Sequence, residues 1–208
     1  MMMLRKMLAV AVLTGAAALV QAAEVAPDVL VKTTTQDVLT IIKQDKALQA
    51  GDKKKVNDLV EAKVLPHFDF TRMTRLAVGK AWRTATPDQQ QALVREFRTL
   101  LVRTYSKAIS TAANTNVDVK PLRMAAGDTE TVVRTGIQQT GAQPISVDYV
   151  VEKDGDTWKV FDVIVEGASL VTTYRSTFND EVTKGGIDGL IKSLVQKNQS
   201  ADAAVAKK

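Results

Sequence analysis

Near residue 115 this chain changes its hydrophobic period, and that change limits its possible folds more than any other feature. Before it, apolar residues recur every three or four positions, the spacing of a helix with one buried face. From 116 to 166 they alternate, as in strands, and after Gly167 the helical spacing returns. Helices, then strands, then helices, with no internal repeat and no long linker, predict an α+β domain.

The helical parts carry their own start and stop signals. Pro27 opens a segment from Asp28 to Asp45 with Val31, Val38, Leu39, Ile41 and Ile42 on a helical pattern. Gly51 interrupts it. Val56, Leu59, Val60 and Val64 mark a second helix, which Pro66 ends. Thr86-Pro87-Asp88-Gln89 reads as an N-cap, a first-turn proline and a capping-box glutamine. The long helix beyond it has Leu93, Phe97, Leu100, Leu101, Tyr105 and Ala108 on one face. After Gly167, Leu170, Tyr174 and Phe178 recur at four-residue intervals until Gly185-Gly186. Ile187, Leu190, Ile191, Leu194 and Val195 make a short last helix, and 201–208 reads as a solvated tail.

Four strands are expected, at 116–122, 130–139, 144–153 and 157–166. Asp154-Gly155 signals a hairpin between the last two. The third alternates Ile145, Val147, Tyr149 and Val151 with polar residues. The fourth is apolar on both sides, and strict alternation puts Phe161, Val163 and Val165 on one face with Trp158, Val160 and Ile164 on the other. A strand with two apolar faces is expected to be central and covered twice.

The N-terminus speaks to compartment. Arg5 and Lys6 precede an uncharged run from Leu8 to Val20, and Val20-Gln21-Ala22 fits a signal-peptidase site after Ala22. The run has 13 residues, short of the roughly 20 needed to span a bilayer. A signal peptide at 1–22 and one exported, soluble domain at 23–200 are therefore expected. The chain has no cysteine, so no lipoprotein anchor or disulfide is expected. Net charge is +5; without Arg5 and Lys6 it is +3, a mild basicity suited to anionic lipid surfaces. Nucleic acid is a poor partner for an exported chain.

Enzyme chemistry is hard to assemble from these residues. There is one histidine, in His67-Phe68-Asp69-Phe70, and no second His or Cys to complete a zinc set. Neither a phosphate loop, a dinucleotide fingerprint nor a nucleophile elbow is present. No catalytic residue, metal or cofactor is expected. Segment 66–86 interleaves Phe68, Phe70, Met73, Leu76 and Trp82 with Arg72, Arg75, Lys80 and Arg83. It reads either as a packed helix with a solvated basic face or as a basic rim that meets phosphate headgroups.

Several runs together carry a resemblance. They are Leu65-Pro66-His67-Phe68-Asp69-Phe70, then Met73-Thr74-Arg75-Leu76-Ala77-Val78-Gly79, then Trp82-Arg83 before Ala85-Thr86-Pro87. Next are Glu96-Phe97-Arg98, Val147-Asp148-Tyr149 and Trp158-Lys159-Val160-Phe161-Asp162-Val163. Glu166-Gly167-Ala168-Ser169-Leu170, Tyr174-Arg175-Ser176-Thr177-Phe178 and Gly186-Ile187-Asp188-Gly189-Leu190-Ile191 complete the set. In order and spacing, from about Asp28 to Val195, the chain resembles the MlaC family of periplasmic phospholipid-binding proteins, also known for toluene tolerance.

The resemblance implies helices packed on a mixed, curved sheet, with a deep apolar cavity between them for acyl tails. Combined with the strand pattern, the expected fold is N-terminal helices and a long amphipathic helix on a curved, mainly antiparallel four-stranded sheet, followed by C-terminal helices. The implied cargo is a diacyl phospholipid. The implied protein partners are an outer-membrane lipoprotein–porin complex and an inner-membrane ABC transporter with an MCE-domain subunit. The expected tail-binding residues are Phe97, Leu101 and Tyr105, with Val147, Tyr149, Val163 and Val165, and then Ala168, Leu170 and Tyr174. Arg72, Arg75 and Lys80 are expected at the headgroup or membrane rim. Another apolar cargo, a fatty acid or a hopanoid, fits the same residues, and a hydrolase built on His67 and Asp69 is the remaining alternative.

Overall fold

The computed structural model describes residues 25–206 apart from 140 and 142, with side chains described as far as residue 200. The segment expected to be a signal peptide, 1–22, lies outside the described residues.

Local chemistry sets the helix starts. Helix α1 (Pro27–Gln44) has its proline in the first turn, where the missing N–H costs nothing. Asp45 accepts from the backbone N–H groups of Ala47 and Leu48 and so starts the short α2 (Lys46–Gln49). Asp52 starts α3 (Lys53–Lys63) in the same way, and a 3-10 turn at Leu65–His67 leads out of it. Helix α4 (Phe70–Val78) begins where Asp69 accepts from Arg72 N–H. Helix α5 (Pro87–Ser110) has the full capping box, Thr86 and Gln89 satisfying each other's backbone N–H groups. Such a cap contributes about 1 kcal/mol.

The sheet is a five-stranded meander in the order β1 to β5, where four strands were expected. Its strands are β1 (Thr115–Val119), β2 (Glu130–Gln139), β3 (Ile145–Asp154), β4 (Thr157–Val165) and β5 (Ala168–Ser169). Every pairing within it is antiparallel, which corrects the expectation of a mixed sheet. The one parallel feature is an isolated bridge between Phe68 and Val160. Strand β1 stops at Val119, short of the expected 122, because Pro121 has no N–H to give the ladder. Strand β5 has no signature in the sequence because two residues leave no alternation to read. It is turned back by Glu166 and Gly167, both at positive φ (50° and 82°), the pattern of a type I′ hairpin turn.

A bulge in β4 overturns the strict alternation expected there. Val150 pairs with Asp162 and Val151 pairs with Val160, leaving Phe161 as the extra residue. Trp158, Val160, Val163 and Val165 therefore share one face, and Phe161 points to the other.

That other face packs on α4 and on α6 (Leu170–Ala206), which also clasps α5. Met73, Leu93, Phe97, Phe161, Phe178, Leu190 and Leu194 form this core. Gly186 sits at φ 66° and ψ −167°, non-helical values that divide α6 into two helical stretches where the sequence places its Gly185-Gly186 stop, and the second stretch stays helical through Ala206, into the segment expected as a tail. The opposite face is covered by α1 and by the β1–β2 connection, through Leu30, Val31, Leu122 and Met124. Among the described residues no helix is long and apolar enough to cross a membrane.

Candidate functional site

The face toward α1 is the candidate binding surface, and register builds it directly. Thr131, Val151 and Val160 lie abreast across β2, β3 and β4; Val133, Tyr149 and Val163 form the next row, and Thr135, Val147 and Val165 the next. Ala168 lies opposite Val165 and extends the last row onto β5. The surface is nearly all hydrocarbon, and the Thr135 hydroxyl is satisfied by donating to Val147 O at 2.5 Å. Cover is uneven. Val133 and Val151 are 0% and 1% exposed. Tyr149, Val163 and Val165 are half-buried, Ala168 is exposed and Ile145 is 44% exposed. Accessible surface is thus concentrated at the β4–β5 end of an apolar face.

Tyr149 combines depth with access. It sits on the central strand, where burial pushes its phenol above the usual tyrosine range. Yet the residue as a whole is only partly buried.

The structure divides the other expected tail-binding residues. Phe97, Leu101, Leu170 and Tyr174 belong to the core between α4, α5 and α6. Phe97 is fully buried and stands edge-on to Tyr174 (4.9 Å between centroids) and Phe178 (5.0 Å). Such aromatic packing contributes about 0.5–1.5 kcal/mol per pair beyond area burial. Tyr105 is 36% exposed at the outer end of this seam. Burial, and then proximity to Tyr174, raise its phenol pKa. Burial likewise raises that of Tyr174, with a Thr104 hydrogen bond acting against it.

The three expected rim cations also separate. Arg75 and Lys80 are exposed. Arg72 is held from three sides. Its guanidinium donates to Glu130 at 2.7 Å and to Glu152, and its carbon lies 3.5 Å above the centre of the Phe161 ring. Burial alone would lower its pKa, and the bonds to Glu130 and Glu152 outweigh that and raise it. Arg72 therefore ties α4 to β2, β3 and β4, and its charge is neutralised by two carboxylates.

His67 and Asp69 do not form a catalytic pair. The Asp69 carboxylate accepts from Arg72 N–H at 2.8 Å. The His67 Nε2 lies 3.3 Å from the Thr34 hydroxyl. Burial, and then the nearby Lys159 charge, lower the His67 pKa. A groove of about 440 Å³ runs past Leu65, Pro66, Phe68 and Phe70. It contains none of the expected tail-binding residues, so its volume alone does not make it the site.

The sequence model of the MlaC protein family matches residues 32–196 of the chain. The chain belongs to the MlaC family. Among curated relatives it is 28% identical to the toluene tolerance protein ttg2D of Pseudomonas putida, over 92% of both chains. It is 21% identical to the intermembrane phospholipid transport system binding protein MlaC of Haemophilus influenzae, over 84% of this chain and 83% of that one. Among solved structures it resembles a phospholipid-binding protein of Ralstonia solanacearum in complex with a phospholipid. The TM-score is 0.81 at 41% identity, over 86% of this chain and 99% of that one.

In this MlaC-family chain one positioning group has no obvious signature in the sequence. Asp162 looks there like a mere interruption in an apolar strand. Its carboxylate accepts from Val171 N–H at 3.1 Å and from the Ser169 hydroxyl at 2.5 Å. Ser169 in turn accepts from Thr172 N–H at 3.0 Å. Together they cap α6 and fix β5, which holds Ala168 beside Val165. The one available signal is a lone aspartate in an apolar strand just before a helix start.

Proposed function

We propose that this MlaC-family chain is a periplasmic phospholipid-binding protein that carries lipid between outer-membrane and inner-membrane complexes, and that it is not an enzyme. The observation that carries the reading is the close likeness, at 41% identity across most of the chain, to a protein solved with a phospholipid bound. The half-open hydrocarbon face built from Tyr149, Val163, Val165 and Ala168 supports the same reading. In it the chain is exported and cut after Ala22, acyl tails lie against that face, and the domain at 23–200 holds them as cargo.

The energetics suit a carrier. Each CH₂ left in water costs roughly 0.8 kcal/mol, so a shuttle must offer the tails a dry wall. Tails leave one hydrocarbon environment for another, so net transfer lies near zero and the partners set its direction. In this reading those partners are an outer-membrane lipoprotein–porin complex and an inner-membrane ABC transporter with an MCE-domain subunit. Arg75 and Lys80 supply the free positive charge at the rim, each worth about 1 kcal/mol near an anionic surface.

Native mass spectrometry of the full chain, expressed with its leader and purified from a bacterial periplasm, tests the reading. About one diacyl phospholipid per chain, with mixed headgroups, is expected. A protein that stays empty under gentle conditions, or carries only a fatty acid or a hopanoid, overturns it.

A further inference from the structure

Polar side-chain atoms placed on a hydrocarbon wall need partners, and on the wall facing α1 two have none among the described residues, one of them sealed and the other accessible. The Trp158 Nε1 is buried with no acceptor. It is sealed among Val31, Val133, Val151 and Val160, and Trp158 has almost no surface to offer a ligand. The Tyr149 hydroxyl also has no hydrogen-bond partner among the described residues. Unlike Trp158, Tyr149 keeps accessible surface on the central strand, between the sealed row of Val151 and the open end at Val165 and Ala168. A phenylalanine there would offer the same ring without a polar group to desolvate. The hydroxyl is therefore the one feature of this row that hydrocarbon tails do not explain.

We propose that the Tyr149 hydroxyl donates a hydrogen bond to an ester carbonyl oxygen of the bound glycerolipid, making Tyr149 the polar anchor within an otherwise apolar site. This rests on the carrier reading above and says which part of the lipid is recognised. The ester carbonyls are the polar groups every diacyl phospholipid presents at a fixed distance from its tails, whatever its headgroup. An anchor on the ester gives depth and register to the lipid and leaves the headgroup free to vary. The neighbours Val147, Val163 and Val165 are left to the tails. The phenol suits the task because a tyrosine, with an ordinary pKa of about 10, is protonated and so a donor across the neutral range, and burial only pushes its pKa further up.

Ester lipids are compared with their ether analogues to test this. The full chain is delipidated and offered vesicles of diacyl phosphatidylglycerol or of dialkyl phosphatidylglycerol of equal chain length, and retained lipid is quantified. Wild type is expected to retain the ester lipid about three- to tenfold better, the range of one neutral hydrogen bond. Tyr149→Phe is expected to bind both lipids and to lose the preference. Infrared spectra with carbonyl-labelled lipid give a second readout: a hydrogen-bonded ester band in wild type that is absent from Tyr149→Phe. Equal retention of the two lipids by wild type, or a preference and a band that survive in Tyr149→Phe, overturn the anchor while the carrier reading stands. Failure of folded wild type to retain either lipid overturns both.

Discussion

The two faces of the sheet share the same central strands but differ in what they carry and in how they are covered. The face toward α4 and α6 presents Glu130, Glu152, Asp162 and the bulged Phe161. Its polar groups are engaged: Arg72 binds the two glutamates, and Asp162 caps α6. The face toward α1 is the more hydrophobic, yet its β4–β5 end is the less covered. For stability alone the reverse is expected, since burial of apolar area is the main favourable term. The difference teaches that the closed face builds the molecule and the half-open face is kept for something else.

The sharpest way to break this contrast is to charge the open face. Ala168→Glu is expected to abolish phospholipid retention while the circular dichroism spectrum stays that of the wild type. Ala168 is exposed, so no core packing is lost. The carboxylate would face hydrocarbon once lipid enters, at a cost of several kcal/mol, whereas water solvates it in the empty protein. A folded variant that co-purifies with the wild-type amount of lipid would show that the tails lie elsewhere.

On the closed face the expected damage is to stability. Arg72→Met leaves Glu152 facing the core without its partner. Loss of a fully buried pair's partner costs about 3–5 kcal/mol. Partial exposure of Arg72 and Glu130 reduces this to about 2 kcal/mol. Thermal unfolding should show Tm lower by about 4–8 °C, with lipid stoichiometry unchanged in the folded fraction. An unaltered Tm would mean that the three-way contact contributes nothing.

Asp162→Ala tests the link between the faces and is expected to cost about 1–2 kcal/mol, from the lost cap and hydrogen bonds. Because β5 is held by this group, hydrogen exchange should rise at the start of α6. No change in exchange there would separate Asp162 from the α6 start.

The smallest effect concerns acid. The His67 pKa is lowered by burial and then by Lys159. The unfolded chain therefore takes up the proton first as pH falls. The stability His67 contributes is complete above its ordinary pKa, about 6.5, and is lost as pH falls through the lower folded value. Urea denaturation of His67→Gln should show a shallower loss between about pH 7 and pH 5. A slope identical to wild type would count against this linkage.

Legibility in the sequence depends on distance along the chain. The capping box at Thr86 and Gln89, the proline start of α1 and the strands β2 to β4 are readable because their signals lie within a few residues of each other. Arg72 is not: its partner Glu152 is 80 positions away, and an arginine on an amphipathic helix looks the same whether it faces water or a carboxylate. Residues Phe97, Leu101, Leu170 and Tyr174 are recognisable as apolar stripes, but nothing local says whether a stripe meets protein or ligand. Val147, Tyr149, Val163 and Val165 do come together on one face, because cross-strand register pairs them, but register alone does not say what that face meets.

The bulge at Phe161 gives β4 an unusual parity. With that residue in place and no bulge, Asp162 would turn into the hydrocarbon wall and Val163 and Val165 would turn out of it. As built, the odd residue is absorbed on the Arg72 side, and the wall's alternation continues undisturbed. Removing Phe161 would shorten the strand by the one residue the wall does not count, leaving Val163 and Val165 where they are. Removing a neighbour such as Ile164 would flip Val165 to the opposite face. The two surfaces of this strand can thus be edited separately, and the bulge is where they come apart.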